Sequence, residues 1–213
     1  MTLDTLLRRR DIWRGGQISP PTLDRLSTGF AALDAALPGG GWPQGALTEI
    51  LPARASIGEL QLVTPALAQL SRRERWIAWI APPHYPYPPA LTRAGIESSR
   101  VLLVHPRAEN DTLWAMEQAL RSGTCSAVLA WPRRANNRAL RRLQLAAETG
   151  QAWGFLFRSL RDAGSSSLAA LRLCLEPLPD GLAVHIIKCR GGVTSSLTLT
   201  LTLLLAPSHK GRG

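Results

Sequence analysis

The stretch from 45 to 71 holds the first arrangement that could do chemistry. GALTEIL (45–51) reads as a strand, PARASIGE (52–59) as a loop, and a helix-sized segment runs from about Glu59 to Ser71. Strand, loop and helix in that order is where an α/β protein places a phosphate-binding loop, with backbone N–H groups turned on the anion. A working loop follows G-x-x-x-x-G-K-[ST]. Its glycines let the amides close on phosphate, its lysine supplies charge, and its hydroxyl holds Mg2+. Here Pro52 stands for the first glycine, Ile57 for the second, Gly58 for the lysine and Glu59 for the hydroxyl. Proline removes a donor, isoleucine blocks the tight turn, and a carboxylate repels phosphate. The loop has the position of a nucleotide site without its chemistry.

The second arrangement is cationic. Arg133, Arg134, Arg138, Arg141 and Arg142 crowd into PRRANNRALRRLQL, and positions 134, 138, 141 and 142 share one helical stripe opposite Leu140, Leu143 and Ala147. Such a stripe suits DNA phosphates or an acidic protein. It suits a plain solvated face equally well, because charge alone carries no specificity. Seven tryptophans invite base stacking. Trp76, Trp79 and Trp131 fall on strand-like runs, however, with Trp114 on a helix and Trp153 at a strand start, where most serve a core. Trp42, between GGG and PQG, is expected to point outward as an interface anchor. HYPYPP (84–89) reads as a protein-binding loop or as a stiff connector at the sheet edge. No G-x-S-x-G or other nucleophile signature occurs. Cys125, Cys174 and Cys189 and the four histidines are scattered without metal-ligand spacing. No enzymatic activity, cofactor or metal is expected.

The elements that must position these residues repeat one pattern. RWIAWIAP (75–82), RVLLVHP (100–106), SAVLAWP (126–132) and AWGFLFR (152–158) read as buried strands. Between them, ALTRAGI, NDTLWAMEQALRSG (110–123) and NNRALRRLQLAAETG (136–150) read as helices, the second capped by Asn110 or Asp111. Strands apolar on both faces, alternating with helices, predict an α/β fold: a mostly parallel sheet flanked by helices. An earlier helix is expected over 28–37. After about Ala163 three strand-like runs joined by PDG and RGG predict an antiparallel C-terminal extension, with Asp180-Gly181 as a hairpin turn.

The chain has 213 residues, 45% of them hydrophobic and 19% charged, enough for one domain and unlike a disordered protein. Its 25 basic and 15 acidic residues give a formal charge of +10, which suits polyanions or acidic surfaces. The longest apolar run, LTLTLTLLLA (197–206), is half of the ~20 residues a bilayer span requires. The N-terminus lacks the charge-then-apolar order of a signal peptide, so a cytoplasmic protein with no membrane partner is expected.

LSTGFAALDAALPGGGWPQGALTEIL (26–51) resembles the segment that precedes the phosphate-binding loop in the RecA recombinase family. The resemblance continues through SGTCSAVLAW (122–131), AWGFLFRSLRD (152–162) and HIIKCRGG (185–192), covering about residues 26–205. It implies a single RecA-like domain over 26–205, a flexible lead-in over 1–25 and a disordered tail over 206–213. It also implies that the ATPase is gone. The Walker B aspartate falls on Trp131, the water-activating acid falls near Pro83, and Lys188 and Arg190 stand near a nucleotide site that lost its other parts. RWIAWIAPP, ALRSGTCSAVLAW and LRRLQLAAETGQAWGFLFR are similar to the SulA family of cell division inhibitors. A RecA-like lead segment joined to a SulA-like middle resembles the ImuA family of SOS mutagenesis proteins. That resemblance implies a non-catalytic accessory role in translesion synthesis, with an ImuB-like polymerase-family partner, RecA and an error-prone DNA polymerase. The basic surface also offers DNA as a partner, with a plain solvated face as the equal alternative. The alternative is a SulA-type inhibitor that binds FtsZ.

Overall fold

Apolar runs of four to seven residues, too short for helices, line up edge to edge because their backbone groups must pair when buried. The computed structural model describes residues 26–200, the side chains of Glu109 and Asn110 apart. The lead-in over 1–25 and the tail over 206–213 lie outside the described residues, as do 201–205. In chain order the elements are α1 (Ala31–Ala36), β1 (Ala46–Pro52), α2 (Glu59–Ser71), β2 (Trp76–Ile80), α3 (Pro88–Arg93), β3 (Val101–Val104) and α4 (Glu109–Arg121). There follow β4 (Cys125–Ala130), α5 (Asn137–Gly150), β5 (Trp153–Phe157), β6 (Leu171–Leu178), β7 (Gly181–Cys189) and β8 (Ser195–Thr200).

The strands form one sheet in the order β3-β2-β4-β5-β1-β6-β7-β8. The first six of that row run parallel, and β7 and β8 continue it antiparallel. This is the mostly parallel sheet with an antiparallel extension that the sequence predicts. Alternating side chains of each strand feed two cores. Leu62, Val63, Leu67 and Leu70 of α2 pack on Ile50, Ile77, Trp79 and Phe155. On the other face Met116 and Leu120 of α4, with Leu140, Leu143 and Ala147 of α5, pack on Leu47, Val128, Ala130 and Leu156. Each such leucine contributes about 1.5–3 kcal/mol by leaving water, so Leu67→Ala alone would open a damaging cavity.

Local chemistry moves several boundaries from where the sequence puts them. The first helix starts at Ala31, not Thr28, because the Asp34 carboxylate accepts the Thr28 N–H at 2.8 Å and the Ser27 hydroxyl at 2.6 Å. Helix α4 starts at Glu109, and Asp111 reaches back to the Ala108 N–H at 3.3 Å from the third helical position instead of capping. Helix α5 is capped by Asn136, whose side chain accepts the Ala139 N–H at 2.9 Å. The hairpin turn sits one residue early: Leu178 pairs with Gly181, which leaves Pro179 and Asp180 as the turn.

The largest difference concerns β3. RVLLVHP reads as a buried strand, yet β3 is the outermost strand of the sheet, with Leu102 47% and Leu103 37% exposed.

Candidate functional site

The loop after β1 shows what became of the phosphate cradle. Ser56 and Gly58 both take positive φ, 62° and 107°, and this turns the chain sharply into α2. The Glu59 carboxylate folds back over the turn, accepting the Ser56 N–H at 3.0 Å and the Ile57 N–H at 2.9 Å. Amides of the kind that cradle phosphate at such loops are thereby satisfied by the chain's own anion. Pro52 ends β1 beside Leu175, and Ile57 packs on the core. Pro83 and Trp131 are not brought to this loop. They line a separate cleft of about 580 Å3 with Arg107 and Arg133 at the ends of β2, β3 and β4. Trp131 lies flat on Phe157 at 4.6 Å between ring centroids.

Beneath this edge of the sheet lies a charge cluster that sequence reasoning missed. Glu49, fully buried in β1, accepts Arg158 Nη1 at 2.5 Å and Arg172 Nε at 2.5 Å. Arg158 also donates to the Ala135 carbonyl at 3.0 Å and meets Asp162 at 3.1 Å. Arg172 donates to the carbonyls of Asp162, Ala163 and Ser165 at 2.9–3.1 Å. The cluster thus ties the loops around 135 and 162–165 to the central strand. Lys188 donates to the Ser167 carbonyl at 2.5 Å, and burial, with Arg190 and Arg172 nearby, pushes its ammonium below the usual lysine range. The signal was present in the sequence. A glutamate inside ALTEILP must find a positive partner, because an unpaired charge there is too costly.

Two expectations for the surface are corrected. Trp42 is 3% exposed, not an outward anchor. Its backbone N–H donates to the Leu26 carbonyl at 2.8 Å, and a Cβ on Gly41 would stand 2.3 Å from that same oxygen. Only glycine permits the approach, which turns the indole inward, edge-on to Phe155 at 5.2 Å. The arginine stripe is also broken. Arg133 and Arg134 precede α5, while Arg138, Arg141 and Arg142 project from it into solvent. Arg142 forms an ion pair with Glu117 of α4, which also holds Arg121 at 2.8 Å.

Trp79 and Trp153 are buried and Trp131 packs on the core, as expected of most of these tryptophans, but two lie outside it. Trp76, at the start of β2, is 42% exposed, and Trp114 on α4 is 60% exposed. In the HYPYPP loop the exposed Tyr85 packs at a tilt against His105, with ring centroids 4.7 Å apart, just past β3. No other strand among the described residues pairs with the outer edge of β3, and Leu102 and Leu103 make it an apolar border of the sheet. Among the described residues no cluster of three His, Cys, Asp or Glu could hold a metal, and no helix is long and apolar enough to cross a membrane.

Residues 45–154 of this α/β chain, from β1 to the first residues of β5, match the family described as cell division inhibitor SulA. The SulA proteins of Yersinia pestis strain Pestoides F and Yersinia pseudotuberculosis strain IP 31758 are each 36% identical to it over 115 residues, 53% of this chain and 68% of theirs. The crystal structure of SulA from Pseudomonas aeruginosa is similar at 31% identity and a TM-score of 0.45, covering 53% of this chain and 97% of that one. The chain belongs to the SulA family. Its segment 26–44 and strands β6 to β8 fall outside the matched span.

Proposed function

We propose that this chain is a non-catalytic inhibitor of cell division that docks on the division protein FtsZ and blocks its polymerisation. The observation that carries the reading is the apolar edge of β3 within the SulA-matched span. An edge with no neighbouring strand among the described residues offers N–H and C=O groups to a partner's backbone. Leu102 and Leu103 supply apolar contact along it. The scaffold is read as RecA-like with its motor lost: Glu59 occupies the loop amides, and the resemblance puts Trp131 in place of the Walker B aspartate. On this reading the protein is cytoplasmic and uses neither nucleotide nor metal. The test is FtsZ polymerisation with GTP, followed by pelleting. Stoichiometric protein suppresses assembly, and the double change Leu102→Glu, Leu103→Glu raises the amount required about tenfold, the ~1.4 kcal/mol expected of a lost anchor. Undiminished FtsZ assembly at molar excess of the parent overturns the reading.

A second reading has one observation in its favour. The segment 26–44 and strands β6 to β8, outside the SulA match, share one core through Leu33, Leu37, Leu182 and Leu199. That addition fits an ImuA-type accessory protein of SOS-induced translesion synthesis, contacting an ImuB-like protein, RecA and an error-prone polymerase. Co-purification with such partners, with FtsZ assembly unaffected, is the outcome this reading expects.

A further inference from the structure

Helices α4 and α5 lie side by side on one face of the sheet and leave a groove of about 540 Å3 toward their N-terminal ends. Its apolar lining includes Leu143, which is buried, and Leu113 and Ala139, which are half-buried. Trp114 lines one side and stays in solvent, while Arg138 and Arg142 line the other. Exposed indole is poorly hydrated surface, and tryptophan and arginine are the residue types that dominate interface energy.

The charges are already ordered. Glu117 is nearly buried and holds both Arg121 and Arg142, whose side chains remain 52% exposed. One carboxylate serving two guanidiniums leaves a net positive charge facing outward. Arg138 and Arg141 add to it and the exposed Asp111 offsets one of them, which leaves the groove positive. A guanidinium held in place in advance loses less freedom when a second carboxylate arrives.

We propose that this groove docks an acidic, amphipathic peptide segment of a partner protein. An aliphatic or aromatic side chain of that segment seats against Trp114 and Leu143, and flanking carboxylates meet Arg138 and Arg142. Single-stranded nucleic acid fits less well. It asks for successive stacking platforms along a continuous cationic track. The groove offers one exposed aromatic ring, and the carboxylates of Asp111 and Glu117 interrupt its charge. The site stands apart from the division-inhibitor reading, which uses the edge of β3.

The experiment uses the full chain and a fluorescein-labelled synthetic peptide alternating Glu with Leu and Phe, read by anisotropy. Binding weakens with added NaCl and falls about tenfold in Trp114→Ala and in Arg138→Glu, both solvent-facing changes whose melting curves should match the parent. Arg93→Glu on α3, an equal charge change elsewhere, leaves binding within twofold. Equal binding by a peptide with Ser in place of Leu and Phe overturns the proposal, as does binding within twofold of the parent by both groove variants. An oligo-dT strand that binds more tightly than the peptide and is lost in the same variants also overturns it, assigning the groove to DNA.

Discussion

Replacing Glu49 by Gln removes one charge from the centre of the sheet and almost no volume. Both arginines lose the carboxylate that each meets at 2.5 Å, in a place closed to solvent. Removing one partner of a buried ion pair costs about 3–5 kcal/mol, because the remaining charge keeps its desolvation penalty. Two features argue for the lower end. Arg158 retains Asp162 and the Ala135 carbonyl, and Arg172 retains three carbonyls. We therefore expect a loss of about 3 kcal/mol, or a urea midpoint lower by about 1.5 M at a slope near 2 kcal/mol/M. Urea unfolding followed by tryptophan fluorescence measures it. The loops around 135 and 162–165 should exchange their amide hydrogens faster in the variant, since the cluster is what anchors them. A midpoint shift below about 0.3 M would refute the argument, showing that the carboxylate adds little beyond the carbonyls.

Trp42→Ala should cost about 3–5 kcal/mol in thermal or urea unfolding, as for a buried aromatic, and leave binding of folded protein to any partner unchanged. A stable variant with lost binding would return Trp42 to the surface. Glu59→Ala should cost about 1 kcal/mol through the two amides it strands, and neither parent nor variant should bind a labelled ATP analogue; micromolar binding by the parent contradicts the reading of the loop. Burial raises the thiol pKa of Cys125, Cys174 and Cys189 above the ordinary value. Iodoacetamide at pH 8 should therefore label the native protein slowly, Cys189 first, and the unfolded protein quickly, with mass spectrometry giving the order. Since unfolded thiols ionise first, the same shifts remove stability as pH rises from the ordinary thiol range toward the raised values; a flat unfolding free energy there speaks against it.

The parallel core was legible because its strands are closed on both faces. WIAWI, CSAVLA and WGFLF are continuous apolar runs, and nothing but a sheet covered by two helical layers accommodates them. The limits of α5 were legible for a local reason, since Asn136 caps within three residues of itself. Contacts between distant parts of the chain were not. The orientation of Trp42 depends on Leu26, sixteen positions earlier, and the carboxylate of Glu49 meets arginines 109 and 123 positions away. A lone charge in an apolar strand announces that a partner exists without saying which.

The surface was misread for a different reason. VLLV carries no alternation, so it fits a strand buried between layers and equally an edge strand awaiting a cover. Periodicity reports which side chains avoid water and is silent on whether this chain or another excludes it. Trp76, Leu102, Leu103 and Trp114 all have the pattern of core residues and stand in solvent. Such residues lower the solubility of an isolated chain. On the function proposed above, this border within the SulA-matched span is where the partner packs. The arginines follow the same logic from the opposite side. As a stripe on a helix they specified nothing, but beside Trp114, with Arg142 fixed on Glu117, they define a groove with an apolar seat and ordered charge. Specificity enters through the neighbouring helix, and this is why the five arginines alone could not supply it.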